Sequence, residues 1–340
     1  KHLRHDRNTF EAPVQDQSRV SASVAIVLMI AFRRLCSTAP RWSPTCAASR
    51  SFSVKGASAG NLVRFLAPDG VEKWGKLMEG GKTAKVLDSV FDSGPGGAEV
   101  EISKVLAPLP VDPAPAVIVV GLNYKSHAEE TGAELPVRPI WTLVSPTSVI
   151  GPGAAISIPA TARQKPEVDY EGEMAIVIGK KIRDASPEEA LEAVLGVTSS
   201  NDVSARRWQG KKGGGQWTKS KSFDTFCPVG PTLLPVTGAV ATALACDLAA
   251  PGGKGLAVKT TLNGALMQNG DTSDMNYGVA RTVSYLSEGV TLLPGTIILT
   301  GTPPGVGYPR KPPVYLKAGD CVEVELEGAG ILSNTVEDGP

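Results

Sequence analysis

Three carboxylates stand two residues apart in Asp169-Tyr170-Glu171-Gly172-Glu173, at the head of the apolar run Met174 to Ile178. Side chains alternate along a strand, so Asp169, Glu171 and Glu173 are expected on one face, which continues as Ala175 and Val177. A face that turns apolar within two residues leads into a core, which places the acids at its mouth. An isolated Glu-x-Glu is more often a solvated strand face with salt-bridge partners. Three like charges stacked where a face turns inward are different, because they repel unless a cation, Arg or Lys neutralises them. A further acid comes from Asn201-Asp202-Val203-Ser204-Ala205-Arg206-Arg207-Trp208-Gln209. Asp202 is expected to cap a helical turn, with Arg206 and Gln209 following it on one helix face. Glu171, Glu173 and Asp202 then make an all-oxygen donor set, suited to a hard cation: Mg²⁺, with Mn²⁺ and Ca²⁺ as alternatives. Zinc would call for His or Cys, and neither is near in the sequence.

His127 lies in GLNYKSHAEETG, directly after the strand-like run Val117 to Gly121. If that segment is helical, Glu130 shares its face and can orient and polarise the imidazole as a general base. A His followed by Glu is also common on ordinary helices. Gly121 before it and Thr131-Gly132 after it are hinge-like, as a short lid would require. The stretch ARRWQGKKGGGQWTKSKSFD carries Arg206, Arg207, Lys211, Lys212, Lys219 and Lys221. It reads as a cationic loop that closes on a small carboxylate, or as a solvated surface loop; its glycines lack the P-loop spacing. LTGTPPGVG, from Leu299 to Gly307, ends a strand in a turn where an exposed Thr302 and backbone N–H groups could receive an anionic group, or make only a tight turn.

These residues need a scaffold, and the composition indicates its kind. The 340-residue chain is 42% hydrophobic with formal net charge zero, which gives no reason to expect a nucleic-acid partner. With 37 Gly, 27 Pro and only 5% aromatics, short strands joined by turns are favoured over a helical bundle. The expected class is α+β, mainly β, with helices at the edges. Strands are expected at Val117 to Gly121, Val168 to Ile178, Thr198 to Ser200, Ala257 to Leu262, Thr296 to Thr300, Cys321 to Leu326 and Ile331 to Val336. Asp69-Gly70 and Asn263-Gly264 mark hairpin turns. Ser186-Pro187-Glu188-Glu189 carries a capping box for one helix, and another is expected from Val279 to Ser287, stopping at Gly289.

No Asp or Glu occurs between Asp16 and Asp69, while Arg and Ser are frequent. Residues 1–55 are therefore read as a leader, with a start at Met29 giving a mitochondrial matrix presequence processed near Ser53; otherwise the protein would be cytoplasmic. Val24 to Phe32 is too short to span a bilayer, and no membrane association is expected. Residues 56–107 read as a small β-rich module, 108–116 as a proline-rich extended linker and 117–340 as the main domain. Cys227, Cys246 and Cys321 are widely spaced and read as reduced core thiols, with Cys36 and Cys46 in the leader.

GLNYKSHAEE, the Glu-x-Glu of DYEGEMAIVIGK, NDVSARRWQ, SKSFDTFCPVGP, LNGALMQ and GTPPGVG occur in the order found in the fumarylacetoacetate hydrolase family. The resemblance covers about Val117 to Val336, and RKPPVYLKAGD is similar to its mitochondrial domain-containing branch, which includes oxaloacetate tautomerases and acylpyruvate hydrolases. It implies a mixed β-sandwich roll, a homodimer, and one Mg²⁺ held by Glu171, Glu173 and Asp202. It also implies a lid dyad in His127 and Glu130, substrate contacts from Arg206 and Gln209, a site lysine in Lys221 and a carboxylate-binding threonine in Thr302. The implied substrates are small dicarboxylates or dioxo acids, enolised with the metal as Lewis acid. Oxaloacetate tautomerisation comes first, with acylpyruvate hydrolysis, oxaloacetate decarboxylation or a catalytically weak metal-binding protein as alternatives. One departure stands out: in PIWTLVSPTSVIGP, Thr142 and Val144 occupy positions where the family usually has Phe and Lys.

Overall fold

The computed structural model describes residues 54–91, 94–245 and 253–340. The leader reading falls outside them except for its last two residues, as do Cys36, Cys46 and Cys246. Asp69-Gly70 forms the expected hairpin: the strands Leu62–Leu66 and Glu72–Leu77 are antiparallel, and Gly70 takes φ 77°. Asn263 and Gly264, at φ 51° and 79°, turn the chain between Ala257–Leu262 and Ala265–Asp271. Both turns require left-handed backbone, which Gly and Asn supply at least cost.

The strands gather into two principal sheets. The larger runs from the N-terminal hairpin through Leu62–Leu66, Cys227–Pro235, Val194–Asn201, Gly172–Ile178, Ile297–Leu299 and Val117–Gly121 to an edge at Ile140–Val144. The smaller has five strands, in the order Ala265–Asp271, Ala257–Leu262, Cys321–Leu326, Gly330–Asp338 and Ile156–Ile158. This is the mainly β, α+β architecture expected from composition and turn spacing. Leu62 of the N-terminal strands pairs with Leu233, so those strands extend the large sheet, while Val63, Phe65, Leu77, Ile102 and Val105 pack a small core of their own. The proline-rich stretch from 108 to 116 is seated on the main core through buried Leu109 and Ala114, so it is not a free tether.

The central strand Gly172–Ile178 is buried on both faces. Met174, Ile176 and Ile178 enter one core with Val197, Val279 and Val283, whereas Ala175 enters another with Val119, Val144 and Ile297. Burying side chains of this size contributes roughly 1.5–3 kcal/mol each, so register here is strongly fixed. The helix Pro187–Glu192 begins with the expected reciprocal cap, in which Ser186 Oγ accepts from Glu189 N at 3.2 Å and Glu189 Oε2 accepts from Ser186 N at 2.9 Å. The helix Val279–Ser287 also forms as expected, and Gly289 at φ 66° follows it. Among the described residues no helix is long and apolar enough to cross a membrane.

Candidate active site

The expected strand Val168 to Ile178 is broken. Val168–Asp169 pairs with Ser204–Ala205, and a new strand begins at Gly172, antiparallel to Val194–Asn201 with Gly172 opposite Asn201. That register puts Asp202 beside Glu171, although thirty positions separate them. Asp202 N donates to Glu171 O at 2.8 Å, and Glu171 N donates to Asn201 Oδ1 at 3.0 Å. One oxygen from each of Glu171, Glu173 and Asp202 lies within 4.8 Å of the others, and all three residues are buried. Gly172, between the two glutamates, has no room for a side chain unless Thr260 gives way: a Cβ there would lie 1.8 Å from Thr260 Oγ1.

Asp169 lies outside this trio, which corrects the shared-face expectation. Its Oδ1 accepts from Gly307 N at 2.8 Å and its Oδ2 from Tyr308 N at 3.0 Å and Arg206 Nε at 2.9 Å. It fastens the glycine-rich turn to Arg206. Asp202 does not cap the following helix either, because that helix is the single turn Arg206–Gln209 with Ala205 at its N-cap. Asp202 comes instead from the link between two strands, where burial is complete and the helix begins four residues on. Arg206 and Gln209 do share a face, with Arg206 Nη1 donating to Gln209 Oε1 at 2.9 Å.

Two cations face the acids. Arg206 Nη2 stands 2.8 Å from Asp169 Oδ2 and 2.6 Å from Glu171 Oε1 as an ion pair, out of line for a hydrogen bond to either. Lys221 Nζ donates to Glu171 Oε2 and Ser204 Oγ, both at 2.8 Å, and to Asp202 Oδ2. Burial alone pushes the Glu171 carboxyl up, but Arg206 and Lys221 outweigh it and hold the group well below the usual carboxylate range. Asp202 is pushed up to about 7 by burial and Glu171, against the pull of Lys221. Burial, Asp202 and Glu171 raise Glu173 well above its ordinary value, although Gly301 N donates to its Oε2 at 2.7 Å. Burial opposes the Lys221 ammonium, yet Asp202 and Glu171 hold its pKa above the ordinary value.

Oxygens around one hard cation at ~2.0–2.6 Å are separated by at most about twice that distance, so the trio's spacing, burial and purely oxygen chemistry fit Mg²⁺, Mn²⁺ or Ca²⁺. Arg206 and Lys221 supply the counter-charges that keep the carboxylates oriented, and Asp169 holds Arg206 in place.

The helix Lys125–Thr131 forms as the His-Glu spacing requires and ends at Gly132, φ 66°. His127 Nδ1 lies 2.9 Å from Glu130 Oε2, and Glu130 Oε1 accepts from Gly305 N at 2.9 Å. The start of the helix is tied by Asp274, whose Oδ2 accepts from Ser126 N at 3.1 Å and from Ser126 Oγ. Gly305 takes φ 108°, and a Cβ there would lie 2.1 Å from Met267 O, so the turn that receives Glu130 depends on glycine. Thr302 is buried, contrary to the exposed position expected, because Gln268 Nε2 donates to its hydroxyl at 2.7 Å and the hydroxyl donates to Gly172 O at 2.9 Å.

One cavity of about 290 Å³ collects His127, the acid trio, Arg206, Gln209, Lys221 and Thr302. Glu130 stands behind His127 and does not line it. The remaining wall includes Val119, Leu122, Trp217 and Tyr308, none of which was singled out from the sequence as a site residue. Tyr308 directly follows the glycine-rich turn and lies under the Arg206 guanidinium, 4.4 Å from carbon to ring centroid. Val144 is sealed into the core beside Val117, Val119, Ala175 and Cys227, and Thr142 Oγ1 pairs with Thr218 Oγ1 at 2.7 Å. Cys227 is a buried free thiol, and burial raises its pKa; Cys321 is free and half-buried.

Residues 116–337 match the model of the fumarylacetoacetate (FAA) hydrolase C-terminal family. The chain belongs to the fumarylacetoacetate hydrolase family. It is 43% identical over 227 residues to oxaloacetate tautomerase fahd2, mitochondrial, of Xenopus laevis, covering 67% of each chain. It is 38% identical over 276 residues to the fumarylacetoacetate hydrolase domain-containing protein 2 homolog of Dictyostelium discoideum, covering 80% of this chain and 84% of that one. Among solved structures, 2-hydroxyhepta-2,4-diene-1,7-dioate isomerase from Mycobacterium marinum superposes with TM-score 0.67 at 35% identity, over 83% of this chain and 99% of that one. The fumarylacetoacetate hydrolase from Exiguobacterium antarcticum gives TM-score 0.67 at 34% identity, over 83% and 100%. The chain is thus an enzyme of a family that holds isomerases and hydrolases, and its buried acid trio can hold a metal ion.

Proposed function

We propose that this protein is a Mg²⁺-dependent enzyme of small 2-oxo and 2,4-dioxo acids that works through an enolate, with oxaloacetate keto–enol tautomerisation as its reaction. The observation that carries this reading is the meeting, in one cavity, of three buried carboxylates with a histidine polarised by Glu130. The names of several relatives, oxaloacetate tautomerases of frog and human mitochondria, support the choice of substrate.

Glu171, Glu173 and Asp202 would hold the ion, Mg²⁺ before Mn²⁺ or Ca²⁺, and it would supply Lewis acidity toward the 1-carboxylate and 2-oxo oxygens. His127 is the base that takes a proton from the carbon between the two carbonyl groups, its Nδ1 held by Glu130. The Lys221 ammonium, whose three N–H groups go to Glu171, Asp202 and Ser204 in the metal-free site, would turn from the two carboxylates to donate toward the enol oxygen. Arg206 and Gln209 orient the substrate, and the Thr302 hydroxyl, which donates to Gly172 O in the free site, would turn with its neighbouring turn to receive a carboxylate. Val119, Leu122 and Trp217 line the same cavity and limit water in it.

The same residues could direct water at a distal carbonyl, so acylpyruvate hydrolysis is the second reading, favoured by the hydrolase among the solved relatives; oxaloacetate decarboxylation shares the enolate. A metal-binding protein of weak activity is the reading of another class, favoured by Val144 at the usual lysine position. The protein is proposed to act as a homodimer, supported by the edge strand Ile140–Val144, which exposes Ile140, Trp141 and Leu143. It is proposed to reside in the mitochondrial matrix, as the relatives' names and the acid-poor leader suggest.

The test is the ultraviolet decay of enol-oxaloacetate and, separately, of acetylpyruvate, with Mg²⁺ and with EDTA. Faster metal-dependent decay of oxaloacetate supports the proposal, and turnover of acetylpyruvate alone replaces it with hydrolysis. Failure of both substrates returns the protein to the non-enzymatic reading.

A further inference from the structure

A second cavity, of about 350 Å³, lies against the same one-turn helix Arg206–Gln209. Arg206 and Gln209, three positions apart, face the catalytic cavity, whereas Arg207 and Trp208 line the second one. Lys165 lines it from beyond the short helix Ala160–Arg163, and Lys212 from the turn Lys211–Gly213. The single acid in the wall is Glu167.

Three cations therefore converge on a concave surface with one carboxylate among them. None of the three side chains has a hydrogen-bond or ion-pair partner among the described residues, in contrast to Arg206 and Lys221 in the catalytic cavity. The backbone that carries two of the three, Arg207 and the exposed Lys212, is also held in place. A Cβ on Gly213 would lie 2.1 Å from Arg207 O, which shows how closely the turn bearing Lys212 is pressed onto the helix bearing Arg207. Trp208 packs edge-on against Phe223, with centroids 6.0 Å apart at 73°, and forms an apolar wall. In a chain of zero net charge, such a focus of positive charge attracts a small polyanion.

We propose that this outer pocket binds an organic phosphate. The planar guanidinium of Arg207 suits two phosphoryl oxygens and the two lysines supply point charges, while Trp208 receives the organic part. The volume falls at the small end of ligand pockets, roughly 300–1,000 Å³, and inorganic phosphate would leave most of it unfilled. This inference does not depend on the reaction proposed for the catalytic cavity.

The experiment is a calorimetric titration of the full chain, loaded with Mg²⁺, using AMP as the probe and adenosine as the uncharged control. One AMP is expected per chain, with adenosine at least about tenfold weaker because the charge-assisted contacts are lost. The double variant Arg207→Ser/Lys212→Ser should weaken AMP about tenfold or more, without shifting the melting temperature or the affinity for oxalate in the catalytic cavity. Absence of AMP binding, equal binding of adenosine, full binding by the double variant, or displacement of AMP by oxalate would each overturn the proposal.

Discussion

The backbone N–H of Asp202 donates to the carbonyl of Glu171 at 2.8 Å, and this bond brings Asp202 to the Glu171-Gly172-Glu173 pair. It follows from the antiparallel register that sets Gly172 opposite Asn201, so two acids distant in sequence leave adjacent strands at the same level. The register is in turn fixed by a central strand whose residues are all buried.

Gly172 is the narrowest point of that arrangement. Gly172→Ala should destabilise the protein by about 1–3 kcal/mol, since its methyl group would overlap Thr260 Oγ1. Metal affinity should fall with it. Adding Thr260→Ala removes the obstructing hydroxyl, which has no hydrogen-bond partner, and should restore part of both losses. Thermal melts and a calorimetric Mg²⁺ titration of the four proteins in the cycle check this; strictly additive effects would contradict it.

In the proposed reaction His127 and Glu130 act on the proton and not on the metal. His127→Ala should lower kcat by roughly 10²–10⁴ while leaving Mg²⁺ affinity nearly unchanged. Glu130→Ala removes both the His127 contact and the link to Gly305, so it should lower kcat and also raise KM. Steady-state kinetics beside metal titration separate the two effects, and an undiminished His127→Ala enzyme would remove the dyad from the mechanism.

Asp274 anchors the start of the helix Lys125–Thr131 through Ser126. Asp274→Ala should free that end, speed amide exchange across 125–131 and reduce kcat/KM, with Mg²⁺ affinity unaltered. Hydrogen exchange that stays the same in the variant would show that the anchor has no such role.

At the proposed site Mg²⁺ must compete with protons. In the metal-free protein burial raises Asp202 to about 7 and pushes Glu173 upward as well, so at pH 6 Asp202 holds a proton that the metal has to displace. Apparent affinity should therefore rise from pH 6 to pH 8, with proton release detectable by titration in buffers of different ionisation enthalpy. Affinity that is flat or falls over this range would contradict the assignment.

Much of the site was legible because its signals are local. Glu171 and Glu173 are marked by period-two spacing ahead of an apolar run, and His127 with Glu130 by helical spacing between two hinge-like glycines. Asp202 was legible as a candidate ligand but not in its means of placement, since strand register depends on pairing across the sheet and not on neighbours in the chain. Thr302 looked exposed because a glycine- and proline-rich turn carries no sign of Gln268 reaching it from another sheet. The strand Cys227–Pro235 went unread for a related reason: Pro228, Gly230, Pro231 and Pro235 signal loop, and only burial between two neighbours makes them a strand. Tyr308 and Trp217 are single aromatics in irregular segments, where no periodicity can point to a cavity.

The account rests on one divalent ion shared by acids from two adjoining strand ends. Anomalous diffraction from crystals soaked in Mn²⁺ tests this most directly. The expected map has one strong peak per chain, with an oxygen each from Glu171, Glu173 and Asp202 at roughly 2.0–2.3 Å. A map with no peak there, or with Mn²⁺ bound elsewhere while Lys221 still bridges Glu171 and Asp202, would contradict it.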